Sequence, residues 1–227
     1  MPIRTIVCLA NSFKYPNGRC IAGRELRTNS YGGWIRPVSD RETAELSSSE
    51  CKYGNNTTPQ LLDIIDIPLL RAEPRHHQTE NYIIGAGTWV KKGQLDWNQL
   101  GGILENPASL WINSDSTSAG MYDRISQEEA YALHNSLLFI KPDSIRIHVE
   151  INPWTNKKQT RGDFVYQGTN YNLKVTDPVA CSIFQSKESG VYPLEEVYLC
   201  VSLTEPWEND NNCYKLVAAI ITQQPLR

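Results

Sequence analysis

Four arginines and a tryptophan lie along Gly18–Ser39, GRCIAGRELRTNSYGGWIRPVS, at spacings that could meet a phosphate and a base together. Arg19, Arg24, Arg27 and Arg36 interleave with the short apolar runs Cys20–Ile21–Ala22 and Trp34–Ile35, and a polar segment with Gly32 and Gly33 separates the two halves. That pattern reads as two strands joined by a turn. Alternation along the strands sends Ile21 and Ile35 into a core. It leaves the neighbouring arginines and Trp34 on the other face, where guanidinium forks suit phosphate oxygens and an indole suits a base. A second reading stands beside it, with the arginines paired to local acids and Trp34 in the core.

A similar grouping recurs at 152–162, NPWTNKKQTRG, where Trp154 stands near Lys157, Lys158 and Arg161. Tyr166, Tyr171 and Lys174 follow on adjoining segments and could extend an aromatic and cationic platform. Together with Lys14, Arg19, Arg24, Trp34 and Arg36, the residues Trp154, Lys157, Lys158, Arg161, Tyr166 and Lys174 form the candidate nucleic-acid-binding set. The alternative for the later group is a solvated lysine-rich hairpin, with Trp154 covering one end of the fold.

Catalytic and metal chemistry find little support. GxxxxGK[ST], GxSxG, HExxH and GxGxxG are all missing, and Gly85, Gly87 and Gly93 are too irregular for a phosphate loop. Asp63 and Asp66, three apart on a strand, point to opposite faces. Glu80 with Asn81 offers polar ligand contacts or loop structure. His76 and His77 are adjacent and lack companion ligands at zinc spacing. The six cysteines include no CxxC pair and sit in apolar runs, which fits reduced, buried thiols. A noncatalytic protein with no cofactor and no metal is the expectation.

The net charge of −3 excludes coating of nucleic acid by bulk attraction, but charge is unevenly distributed. Residues 1–41 carry seven Lys and Arg against two acids, and 188–210 carry six acids and no Lys or Arg. One end could attract phosphates and the other hold a protein partner. No run approaches a membrane span and the N-terminal apolar run is short for a signal peptide, so the expected compartment is the cytoplasm.

The elements that must position these residues are mostly strands. Arg4–Ala10, two strands within 18–39, Gln60–Glu73 and a strand between Asn81 and Val90 occupy the first ninety residues. Pro68 implies an edge, a bulge or a break. Ser39 and Glu42 stand at capping-box spacing for a short helix through Ala44 and Leu46. A middle segment places Leu95, Trp97, Leu100 and Leu104 at roughly helical spacing, and a second capping box, Ser126 and Glu129, opens a helix through Ala130 and Leu133 toward Leu137. Ser144–Ile151, Arg161–Tyr166 and Tyr171–Thr176 then read as three antiparallel strands. Asp177 and Pro178 start a helix, and Val197–Leu203 and Tyr214–Ile221 close the region.

Three strands, a helix and two strands is the order of an OB-fold, a small Greek-key barrel that often binds oligonucleotides or oligosaccharides. The first ninety residues can be read in the same order. The expected architecture is therefore mainly β: two OB-like barrels, 1–92 and 141–227, joined by a partly helical connector, 93–140.

The segments IVCLANSFK, GRCIAGREL, GGWIRPVS, LLDIIDIPL with the later QTEN, and YLCVSLTEPW with YKLVAAII resemble the dual-OB-containing domain family of bacterial proteins. The resemblance covers nearly the whole chain and supplies no catalytic residue. It implies a prokaryotic module that contacts nucleic acid, in a setting of defence against foreign DNA. The leading expectation is a noncatalytic module for single-stranded or distorted DNA or RNA. A nucleotide or small-anion sensor, with Arg19, Arg24 and Arg36 gripping the anion, is one alternative. A protein-interaction adaptor using the acidic 188–210 region is another.

Overall fold

The computed structural model describes residues 2–14, 18–28, 30–152 and 155–226. The chain divides into two compact units, Met1–Leu104 and Glu105–Arg227. Residues 93–104 of the expected connector thus fall in the first unit and 105–140 in the second.

The first unit holds β1 (Ile3–Lys14), β2 (Gly18–Arg27), β3 (Ser30–Val38), β4 (Asp63–Ala72), β5 (Asn81–Ile84) and β6 (Val90–Gln94). The hydrogen-bonded order is β1-β2-β3-β5-β4-β6, and β4 also pairs back to β1, closing a five-stranded ring with β6 alongside. β3 runs parallel to β5, and β1 antiparallel to β4. That is the OB arrangement. Ile6, Cys8, Ile21, Ile35, Ile65 and Ile67 fill the ring, as strand alternation requires. A Cβ on Gly23 would lie 2.0 Å from the Val7 carbonyl oxygen, so only glycine lets β2 cross β1 so closely. At Pro68, β4 changes partner from β1 to β5, with a register shift between Leu69 and Arg71; the proline marks a bulge.

The helix expected after Ser39 does not form. Residues 39–62 are an irregular loop in which Ala44 has φ 56°. The Leu46 backbone exchanges hydrogen bonds of 2.8 and 3.0 Å with Arg19, and Leu46 joins the barrel core. Burial of Leu46 at the barrel end overrides the local capping signal.

A 3-10 turn, Trp97–Gly102, follows a capping box formed by Asp96 and Gln99. In the second unit come β7 (Arg124–Ser126), α1 (Gln127–Tyr131), β8 (Leu137–Ile140), β9 (Ser144–Ile151), β10 (Lys158–Tyr166), β11 (Thr169–Val175), α2 (Pro178–Ser186), β12 (Gly190–Leu194), β13 (Val197–Leu203) and β14 (Asn212–Thr222). The Ser126 and Glu129 box caps α1 as read, but the helix ends at Tyr131. Leu137 instead begins β8, a fully buried strand on β13.

The sheet order is β12-β9-β10-β11-β14-β13-β8, with β11 parallel to β14. β12 lies on β9 and β13 on β14, and only Glu195 and Glu196 separate them. The fourth strand of this barrel is thereby split in two at Glu196, where φ is 50°. Asp177 caps α2, accepting from Val179 and Ala180 amides at 2.9 and 3.2 Å. Ala180, Cys181 and Phe184 of α2 enter a core with Ile145, Phe164 and Val217. None of the six cysteines forms a disulfide, and five are buried. Among the described residues no helix is long and apolar enough to cross a membrane.

Candidate nucleic-acid interface

The strongest grouping lies on the β2–β3 hairpin. Arg24 stands directly opposite Trp34 in the ladder, its guanidinium carbon 5.9 Å from the ring centroid, and both are half-buried. Ile35 beside Trp34 turns inward to the core, which fixes Trp34 on the other face. Arg24 Nε donates to the Gly32 carbonyl at 2.8 Å, which holds the guanidinium in place.

Around the same glycine sits a second set of charges. Glu25 is paired with Arg4 through Oε1 and with Arg27 through Oε2, the latter at 2.7 Å. Its side chain is 9% exposed, whereas those of Arg4 and Arg27 are 44% and 60% exposed. Burial pushes the Glu25 carboxyl up, but hydrogen bonds from Arg27 and Arg4 and their charges outweigh it, and the acid is held below its ordinary range. A Cβ on Gly32 would come within 2.5 Å of Glu25 Oε2 and 2.9 Å of Arg27 Nε, so the cluster needs the missing side chain. Two guanidiniums, Arg4 and Arg27, thus flank one carboxylate.

Arg19 faces Phe13 across β1–β2, with its guanidinium 4.8 Å from a ring that is 53% exposed. Arg24 is five positions on from Arg19, so alternation puts them on opposite sides of β2. Lys14 is half-buried at the same end. Its charge helps the hydrogen bond from Thr43 to hold Glu45 below the ordinary carboxylate range.

Arg36 does not join this surface. It makes a 2.9 Å ion pair with Glu80, with side chains 3% and 4% exposed, and lies 3.4 Å from Asn81 Oδ1. Parallel pairing of β3 and β5 sets Arg36 opposite Asn81, which carries the guanidinium under the β4–β5 connection. Glu80 and Asn81 serve there as structural partners. Asp63 and Asp66 also take separate partners, Tyr53 and Thr5 at 2.7 and 2.6 Å.

In the second barrel the predicted group disperses. Trp154 lies outside the described residues. Lys157 and Lys174 are exposed. Lys158 Nζ donates to the carbonyls of Gln185 and Lys187, at 3.1 and 2.5 Å, and so caps the C-terminal end of α2. Arg161 is 5% exposed, bonded to Asp123 at 3.0 Å and to the Asn172 carbonyl at 2.8 Å. Tyr166 is buried, its hydroxyl donating to the Pro107 carbonyl at 2.8 Å, and buried Tyr171 accepts from Asn113 at 2.8 Å. Their rings belong to the core.

Sequence reasoning passed over Arg4, Phe13 and Glu25 as members of a site. The positive surplus of residues 1–41 contained the signal for Arg4, but its pairing with Glu25 depends on β1 lying beside β2. Among the described residues no three His, Cys, Asp or Glu side chains converge where they could hold a metal ion.

The model of the family described as "Dual OB-containing domain" matches residues 4–220. No curated protein matches the chain. Among solved structures, one described as the crystal structure of the tetrameric p202 HIN2 is similar at 7% identity and a TM-score of 0.32, covering 97% of this chain and 92% of that one.

Proposed function

The chain belongs to the dual OB-containing domain family, and from that premise we propose that it is a noncatalytic nucleic-acid-binding module whose contact surface is the β2–β3 hairpin of the first barrel. The supporting observation is the Arg24–Trp34 pair beside Arg4 and Arg27. A half-buried indole offers a face to an unstacked base, an interaction of about 1–3 kcal/mol per base. The guanidiniums offer forks to the flanking phosphates. Glu25 orders Arg4 and Arg27 without cancelling the local positive surplus. The ligand on this reading is single-stranded or distorted DNA or RNA, in the cytoplasm and, following the family resemblance, in defence against foreign DNA.

The anion-sensor alternative loses its geometry, because Arg36 is buried on Glu80 while Arg19 and Arg24 lie on opposite sides of β2. Fluorescence anisotropy with a labelled oligothymidine and a matched duplex, at low and high salt, tests the proposal. Binding should favour the single strand and weaken as salt rises, and Trp34→Ala should reduce it at both salts. Salt-independent binding, or affinity untouched by Trp34→Ala, would refute it.

A further inference from the structure

The end of the first barrel carries a cleft of about 860 Å³ between the 53–60 segment and residues 88–91. It arises from the loop that stands where the helix was expected. Residues 39–62 seal this barrel end with Leu46, Cys51 and Tyr53. Ordered loops of this length without secondary structure are uncommon and usually functional, and barrel mouths are favoured ligand positions. Three non-glycine residues of the loop, Ala44, Asn56 and Leu62, have φ of 56°, 66° and 69°, a concentration of strained backbone typical of functional segments.

The side chains lining the cleft restrict what can enter. Its carboxylate, Asp63, is 0% exposed and already accepts from the Tyr53 hydroxyl at 2.7 Å and the Gln60 amide at 3.0 Å, so the cleft presents no acid to a cation. Its cation, Lys91, lies 2.5 Å from Asp63. An anion drawing Lys91 away would strand a buried carboxylate, which is costly. Trp89 and Tyr53 are 2% and 7% exposed, so neither ring is offered for stacking. Exposed in the lining are the neutral amides and hydroxyls of Asn55, Asn56, Thr58, Gln60 and Thr88, which both donate and accept, together with the apolar side chain of Val90 and the Lys91 side chain already paired to Asp63.

We propose that this cleft is a second ligand site, for a neutral, hydroxyl-rich molecule of the sugar class. It is independent of the β2–β3 surface. The test is a titration of the ¹⁵N-labelled full chain with ribose, glucose and maltotriose, and separately with inorganic phosphate, followed by NMR. At least one sugar should produce saturable shifts confined to residues 54–60 and 88–91, and phosphate none. A Cβ on Gly54 would sit 3.7 Å from Thr88 Cγ2, so Gly54→Phe fits the backbone and places its ring in the cleft. It should abolish the shifts. The milder Thr58→Val removes one hydroxyl, should weaken binding by a factor of about five, and decides the matter if Gly54→Phe does not fold. No response to any sugar, phosphate shifting the same signals, unaltered binding by folded Gly54→Phe, or unaltered affinity in Thr58→Val would overturn the proposal.

Discussion

The two barrels share the strand order that makes an OB-fold, including the parallel pairing of third and fifth strands, yet treat the same kinds of residue differently. In the first, Arg24 on the second strand faces Trp34 on the third and both keep contact with solvent. In the second, Arg161 on the second strand faces Lys174 on the third, but Arg161 is sealed by Asp123 from a preceding segment. The barrel ends differ too. α2 plugs the second with Ala180, Cys181 and Phe184, whereas an irregular loop closes the first and leaves a cleft. A cation on an OB strand is therefore left at the surface or made structural according to what other segment of the chain lies over it.

The largest effect expected from that contrast concerns stability. Asp123→Ala leaves Arg161 buried without its carboxylate and should destabilise the second unit by about 3–5 kcal/mol in urea unfolding. Arg24→Ala should cost no more than about 1 kcal/mol, the worth of its hydrogen bond to Gly32. Equal losses in the two variants would erase the distinction.

Next in size is a pH effect confined to the second barrel. Burial pushes the Lys215 ammonium down to about 7, partly opposed by Asp123 and Glu129; its Nζ donates to the Ile112 carbonyl at 2.7 Å and Asn113 at 3.0 Å. Between that value and its ordinary 10.5 the unfolded chain holds a proton that the folded chain lacks. Stability should therefore rise with pH from about 7, by at most about 1.4 kcal/mol per unit. Burial raises Cys181 to about 11 and Cys213 to about 12, from 9.0. Unfolded thiols ionise first, so above pH 9 these two groups pull stability down as pH rises. Thermal melts of the full chain from pH 7 to 10 should show the rise, a maximum at about pH 9 and then a fall, and Lys215→Met should lose the rise. A rise that persists in Lys215→Met would assign it elsewhere.

In oligonucleotide binding the contrast should appear as a difference of about 1–3 kcal/mol for Trp34→Ala against less than about 0.5 kcal/mol for Lys174→Ala. Anisotropy titrations at one salt concentration compare them, and a large Lys174→Ala effect would bring the second barrel into the interface. The smallest effects separate the two capping signals. Ser126→Ala should cost about 1 kcal/mol by removing a formed cap, while Ser39→Ala, where no helix forms, should stay within about 0.5 kcal/mol. Chemical denaturation of each variant distinguishes them.

Much of this architecture was legible because its causes are local. The apolar and polar alternation placed Ile21 and Ile35 inward and Trp34 outward, and Asp177–Pro178 announced α2. β12 escaped notice because GVYPL is short, contains a proline and is nowhere fully buried, which suits an edge strand and hides its pattern. The helix read from Ser39 and Glu42 failed because Leu46 pairs with Arg19 far back in the chain.

Alternation, turns and effective caps follow from side-chain direction and nearby hydrogen bonds, so the residue order alone determined the barrels' strand succession. Which arginines remain at the surface was decided only on folding. Arg161 meets its carboxylate 38 residues away, and Arg36 meets Glu80 across a parallel strand pair. A guanidinium is buried or exposed according to partners that only tertiary closure brings near, and nothing in its immediate neighbours records which will arrive.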